Sequence, residues 1–236
     1  RAFGIEDLGL ADTKNFTSLV ELGTGSLATV VQACDELSFA RHLWTYPVVG
    51  KLPYKGFFKA EDARKEADRL RAQGLDVLVR DVDAFSTLGW FRDPLFSFME
   101  TYSKAELADL LLHEMTHATA FTKAPGDWNE ELATFVGRRG AEAFLLNLEG
   151  QASPSLAEAR RSRQRSEAFA AFLRDTAREL EAVYASPASP EEKRQAKARI
   201  IADRARVYRE RGSQLFGSGP DAAGWRNFDM ARINNA

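Results

Sequence analysis

The stretch SKAELADLLLHEMTHATAF, residues 103–121, decides how this chain is read. Ser103 followed three residues later by Glu106 is a helix-start pattern, in which hydroxyl and carboxylate satisfy the first unpaired N–H groups. Leu107, Leu110 and Leu111 then recur at helical spacing, which predicts a helix running to about Phe121. On that helix His113 and His117 stand four residues apart and project from one face. Two imidazoles so placed can share one zinc ion. Glu114 lies about 100° round the helix from His113. It flanks the metal without being forced to bind it, where a carboxylate can take a proton from water and hand it to a leaving amine. That is the chemical content of the HExxH pattern. The chain has only three histidines, and two of them fall inside the pattern.

A catalytic zinc usually keeps three protein ligands and one open position. The remaining histidine, His42, and the single cysteine, Cys34, both lie far upstream, so a carboxylate is the expected third ligand. DWNEELATF, residues 127–135, offers Glu130 and Glu131. Pro125 and Gly126 end the first helix, and a second is predicted from Asp127 to about Leu148. At about 100° per residue, Thr134, Gly137 and Ala141 fall close to the direction of Glu130, a stripe of small residues that lets another helix approach. Glu131 points toward Arg138 and Glu142, a charged face read as solvated. Leu132, Phe135, Val136 and Leu146 form a separate apolar face, suited to the C-terminal helices. Helix geometry therefore prefers Glu130. A competing role stays open, because Asp127 and Glu130 also imitate a capping box. Asn129 either orients substrate through a hydrogen bond or fixes the helix start.

Outward from these helices the chain divides in three. Residues 1–100 read as mixed strand and helix, with strand runs at 16–22, 27–33, 46–50, 52–58 and 76–82 and a helix over 61–73. STLGWFRDP, residues 86–94, is a loop or edge strand. Residues 101–150 carry the two helices already described, and 151–236 form a helical hairpin turning at ASPASPEE, residues 185–192. The fold class expected is α+β, one integrated domain with a small N-terminal β region and a helical C-terminal half. A net charge of −2 excludes a global field that recruits nucleic acid. The basic cluster ARRSRQR, residues 159–165, reads as a solvated helix face. No apolar run approaches the ~18 residues of a membrane span. The abrupt ends, RAFGIEDLGL and RINNA, are expected to be truncations.

HEMTH followed closely by NEELA resembles the gluzincin arrangement of zinc peptidases, and several further stretches are similar to the bacterial putative aminopeptidase family. YKGFF (54–58), STLGWFRDP, the two active-site helices, Val183-Tyr184, Tyr208 and the terminal INNA carry this resemblance over most of residues 10–236. The chain departs from that pattern at Phe85, Met115 and Thr119. The resemblance implies a thermolysin-like fold and a secreted or lipid-anchored bacterial peptidase. In it His113, His117 and Glu130 bind one Zn2+ ion, and Glu114 is the general base. It also implies an edge strand, Ser86, Thr87, Leu88 and Gly89, that pairs with the backbone of a peptide substrate. An oxyanion donor is required; Tyr54, Tyr184, Tyr208 and His42 are candidates, with Tyr184 and Tyr208 preferred because the helical half can close over the metal. Three rival readings are a catalytically silent metal-binding protein, a helical adaptor using residues 151–216, and an endopeptidase of the same fold.

Overall fold

The computed structural model describes residues 1–21, 28–47, 50–82, 94–120, 122 and 126–216. Ser86, Thr87, Leu88 and Gly89, with the rest of the expected substrate edge before Pro94, lie outside the described residues, as does the terminal INNA. The fold is α+β and mostly helical. Contacts group the chain into two compact units, residues 1–25 with 84–163 and residues 26–83 with 164–236. The strands between residues 28 and 82 fall in the unit that also holds residues 164–236.

The unit holding residues 26–83 is built on an antiparallel sheet. Its central strand β2 (Ala28–Asp35) pairs with β5 (Tyr54–Phe57) on one side and β6 (Leu75–Val82) on the other. Strand alternation puts Val31 and Ala33 on one face, where Trp44 and Val77 join them. Helix α2 (Ala60–Arg71) covers that face with Ala63, Ala67 and Leu70. Acidic residues in its first turn and arginines in its last complement the helix dipole. Between β2 and β5, β3 (Trp44–Tyr46) and β4 (Gly50–Leu52) make a short hairpin. The long helix α5 (Pro154–Ala185) begins in one unit and ends in this one, where it meets α6 (Pro190–Phe216). Phe169, Ala205, Tyr208 and Phe216 form the buried centre of that hairpin, with Phe172 and Leu173 against it. Pro190 opens α6, and the Ser189 backbone N–H donates to Glu192 Oε2 at 2.8 Å. Buried Lys197 ties α6 to the sheet by donating to Asp76 Oδ2 and to the Glu36 carbonyl at 2.8 Å.

The unit holding the HEMTH stretch contains α1 (Ala2–Glu6), β1 (Leu19–Val20), β7 (Leu95–Phe96), α3 (Lys104–Thr119) and α4 (Gly126–Glu149). Leu10, Leu112 and Met115 are its buried apolar centre, packed by Ile5, Phe16 and Val136. Among its described residues the run at 16–22 gives two strand residues, β1, paired in parallel with β7. Phe16 has φ 58°, a left-handed conformation that an extended strand cannot continue through.

Three further expectations change here. Glu142, read as solvated, is buried among Arg139, Arg160 and Arg163. The basic cluster at 159–165 is thereby largely engaged within the chain, since Arg161 also pairs with Glu158. The apolar face on α4 is not covered as a whole, for Phe135 and Leu146 remain exposed while Val136 enters the core. The side of α4 that is buried carries Ala133, Gly137, Gly140, Ala141 and Leu145 instead. Among the described residues no helix is long and apolar enough to cross a membrane.

Candidate metal centre

Helix α3 begins with the capping box expected at Ser103. Its hydroxyl accepts from the Glu106 N–H at 3.2 Å, and its own N–H donates to Glu106 Oε2 at 2.8 Å. Starting the helix there fixes its phase. Leu112 and Met115 enter the core, and His117 is buried beside them while His113 is partly open. The two rings meet edge to face with centroids 4.8 Å apart, and their Nε2 atoms are 3.2 Å apart.

Helix α4 packs along α3 through glycine. A Cβ on Gly137 would stand 2.8 Å from the Asp109 carbonyl oxygen and 3.1 Å from the His113 Cβ. A Cβ on Gly140 would stand 2.7 Å from Leu112 Cδ1. Only residues without side chains allow this approach. It brings Glu130, two turns before Gly137, to the imidazoles. Glu130 Oε1 lies 3.4 Å from His117 Nε2, and Oε2 lies 3.5 Å from His113 Nε2. The three residues form a group whose donor atoms lie within 4.8 Å of one another. Among the described residues this is the group of His, Cys, Asp and Glu that could hold a metal ion. Glu131 is exposed and outside it.

Two imidazoles and a carboxylate are donors that divalent transition metals accept. Each histidine nitrogen faces a different oxygen of the Glu130 carboxylate, so the group is drawn together around one point without any one oxygen being close to both rings. Burial, aided by the His117 ring, pulls the His113 pKa below its ordinary value, against the pull of Glu130. The neutral imidazole so favoured is the form that ligates metal. The Glu130 side chain is 67% exposed, so the cluster is open to solvent on the carboxylate side.

The family model described as Putative aminopeptidase matches residues 1–236. This chain belongs to that family. The name of the Putative aminopeptidase family points to peptide hydrolysis. No curated protein and no solved structure matches the chain.

The remaining candidates fall as follows. Glu114 follows His113 on α3 with its side chain half-buried. Asn129 is buried and turned to Thr122, to which it makes three hydrogen bonds. Tyr208, Tyr184, Tyr54 and His42 all belong to the unit of residues 26–83 and 164–236. Tyr208 sits in the aromatic centre of the α5–α6 hairpin, stacked on Phe216 and edge-on to Phe169, and burial raises its pKa. Tyr184 meets Phe39 edge to face, and His42 does the same with Trp44.

Asp109 was not singled out by sequence. It lies one turn before His113, against Gly137, and burial raises its pKa while Arg138 opposes the shift. The four-residue spacing from His113 was the signal that could have marked it.

Proposed function

We propose that this chain is a zinc-dependent aminopeptidase of the gluzincin kind, with His113, His117 and Glu130 holding one zinc ion and Glu114 as general base. The observation that best supports the reading is the convergence of HEMTH and DWNEELATF, two imidazole nitrogens and a carboxylate at 3.2–3.5 Å. Zinc supplies Lewis acidity there, polarising a peptide carbonyl and lowering the pKa of water. Glu114 receives the proton of the attacking water and delivers it to the nitrogen as the C–N bond breaks, so that the amine leaves neutral. Glu130 holds its carboxylate between the rings on the exposed side, from which a peptide can enter. The reaction also needs a hydrogen-bond donor to the oxyanion. Ser86 to Gly89 is the segment proposed to align the peptide backbone. The proposed compartment is outside the bacterial cytoplasm.

The test is hydrolysis of aminoacyl arylamides together with zinc content. Glu114→Gln is expected to keep its zinc and lose about 10²–10⁴-fold in kcat. Equal rates in the two proteins would overturn the mechanism. N-acetylation of the substrate is expected to abolish cleavage, and undiminished turnover of the acetylated form would make the enzyme an endopeptidase.

A further inference from the structure

Asn129 stands immediately before Glu130 and is buried, although it lies in the first turns of α4. Its amide is matched to the main chain of Thr122. The Oδ1 atom accepts from the Thr122 N–H at 3.0 Å and from the Thr122 hydroxyl at 3.1 Å. The Nδ2 atom donates to the Thr122 carbonyl at 3.1 Å. Both lone pairs of the oxygen and one hydrogen of the nitrogen are used, and turning the amide over would set N–H against N–H. Thr122 is the third residue after α3, which ends at Thr119. The side chain therefore pins the chain leaving the histidine helix to the start of the glutamate helix.

Glu130 itself has no comparable hold. It is largely exposed, and among the described residues its carboxylate is paired with the two histidine rings alone. Its position depends on the rotation and advance of α4 against α3. Gly137, two turns further on, sets the distance between the helices. Gly140 makes a second close approach one turn beyond it, so both lie two turns or more past Glu130, and the Asn129–Thr122 pairing supplies a fixed point at the near end of α4.

We propose that Asn129 is a positioning residue, which holds Glu130 in register with His113 and His117 through its hydrogen bonds to Thr122. This inference rests on the zinc site proposed above. A role in binding substrate would leave the amide free to turn toward the peptide, whereas here the oxygen is fully engaged within the chain.

The experiment compares wild type, Asn129→Ala, Asn129→Asp and Glu130→Gln in the full chain. Zinc affinity is measured by competition with a chromophoric chelator, and the cobalt-substituted protein gives the absorption spectrum of the ligand set. Thermal unfolding of the metal-free proteins gives stability separately. Asn129→Ala is expected to bind zinc about tenfold more weakly, as loss of supporting hydrogen bonds around a metal does. Its cobalt spectrum is expected to move toward that of Glu130→Gln. Asn129→Asp keeps the shape and two acceptor bonds but sets a carboxylate oxygen against the Thr122 carbonyl. It is expected to fold and to shift the spectrum in the same direction. Unchanged affinity and spectrum in Asn129→Asp, and in Asn129→Ala where it folds, would overturn the inference, whatever the change in stability. If wild type binds no zinc, the proposed function fails and this inference fails with it; if wild type binds zinc and the variants match it, only this inference fails.

Discussion

Gly137 of α4 lies so close to His113 of α3 that a Cβ placed on it would be 3.1 Å from the histidine Cβ. The same Cβ would be 2.8 Å from the Asp109 carbonyl oxygen, which is backbone and cannot swing aside. Gly137→Ala gains about 1 kcal/mol of helix propensity. Overpacking at a helix contact costs roughly 1–3 kcal/mol. The clash is with main chain, so the cost wins, and α4 moves outward. The expected result is a net loss of about 1 kcal/mol in chemical denaturation, together with weaker zinc binding as Glu130 is drawn from the rings. A variant more stable than wild type with unchanged zinc affinity would show that the helices do not need this closeness.

The two adjacent glutamates separate in the same way. Glu130 meets both imidazoles, while Glu131 is exposed and outside the group. Glu130→Ala is expected to lower zinc affinity at least about tenfold, since it removes a donor rather than a support. Glu131→Ala is expected to leave affinity within about twofold, the range typical of exposed substitutions. Titration of both variants with zinc checks the pair, and equal losses would remove the distinction.

These positions were legible from the sequence because each follows from local helix periodicity. Ser103 and Glu106 fix where α3 starts, the four-residue spacing fixes the histidine face, and the small residues after Glu130 fix which side of α4 can approach. What was not legible depends on residues distant in sequence or on one backbone angle. Glu142 looked solvated because Arg160 and Arg163, which cover it, arrive only on α5. The run at 16–22 has strand composition, yet past the left-handed Phe16 its described residues pair through Leu19 and Val20. The turn of Asn129 toward Thr122 depends on the path of the linker between α3 and α4, which periodicity does not describe.

Glu142 carries a stability prediction of its own. Its carboxylate accepts from Arg163 Nε at 2.5 Å, with Arg139 and Arg160 within 3.8 Å. Removing the acid leaves three arginines facing each other around a buried position. Glu142→Ala is expected to cost about 2 kcal/mol, below the 3–5 of a fully buried pair because the arginine side chains keep some contact with water. Arg139→Ala, at the exposed rim, is expected to cost less than about 1 kcal/mol. Urea unfolding of the two variants tests the order, and an Arg139 variant as costly as the Glu142 one would contradict it.

Acid should weaken the unit of residues 26–83 and 164–236 through Glu66. On α2 its carboxylate accepts from Arg69 Nε at 2.9 Å and from Trp44 Nε1 at 2.9 Å, with Lys55 Nζ 3.6 Å away. The Arg69 hydrogen bonds, then that of Trp44, hold its pKa at about 2, against an ordinary 4.5. In the unfolded chain the group takes up a proton near 4.5, whereas the folded chain resists until about 2. The unfolded state therefore binds more protons in that interval, and stability falls as pH falls through it. Glu66→Gln keeps a carbonyl for Trp44 but loses the charge. It is expected to cost about 1.5–3 kcal/mol near neutral pH, the range for a hydrogen bond to a charged group. The difference from wild type should shrink between pH 4.5 and about 2 and vanish below. Thermal unfolding across that range, followed by the fluorescence of Trp44 against a Trp44→Phe control, measures it. A difference constant from pH 7 down to 3 would show that the carboxylate is not held ionised by its partners.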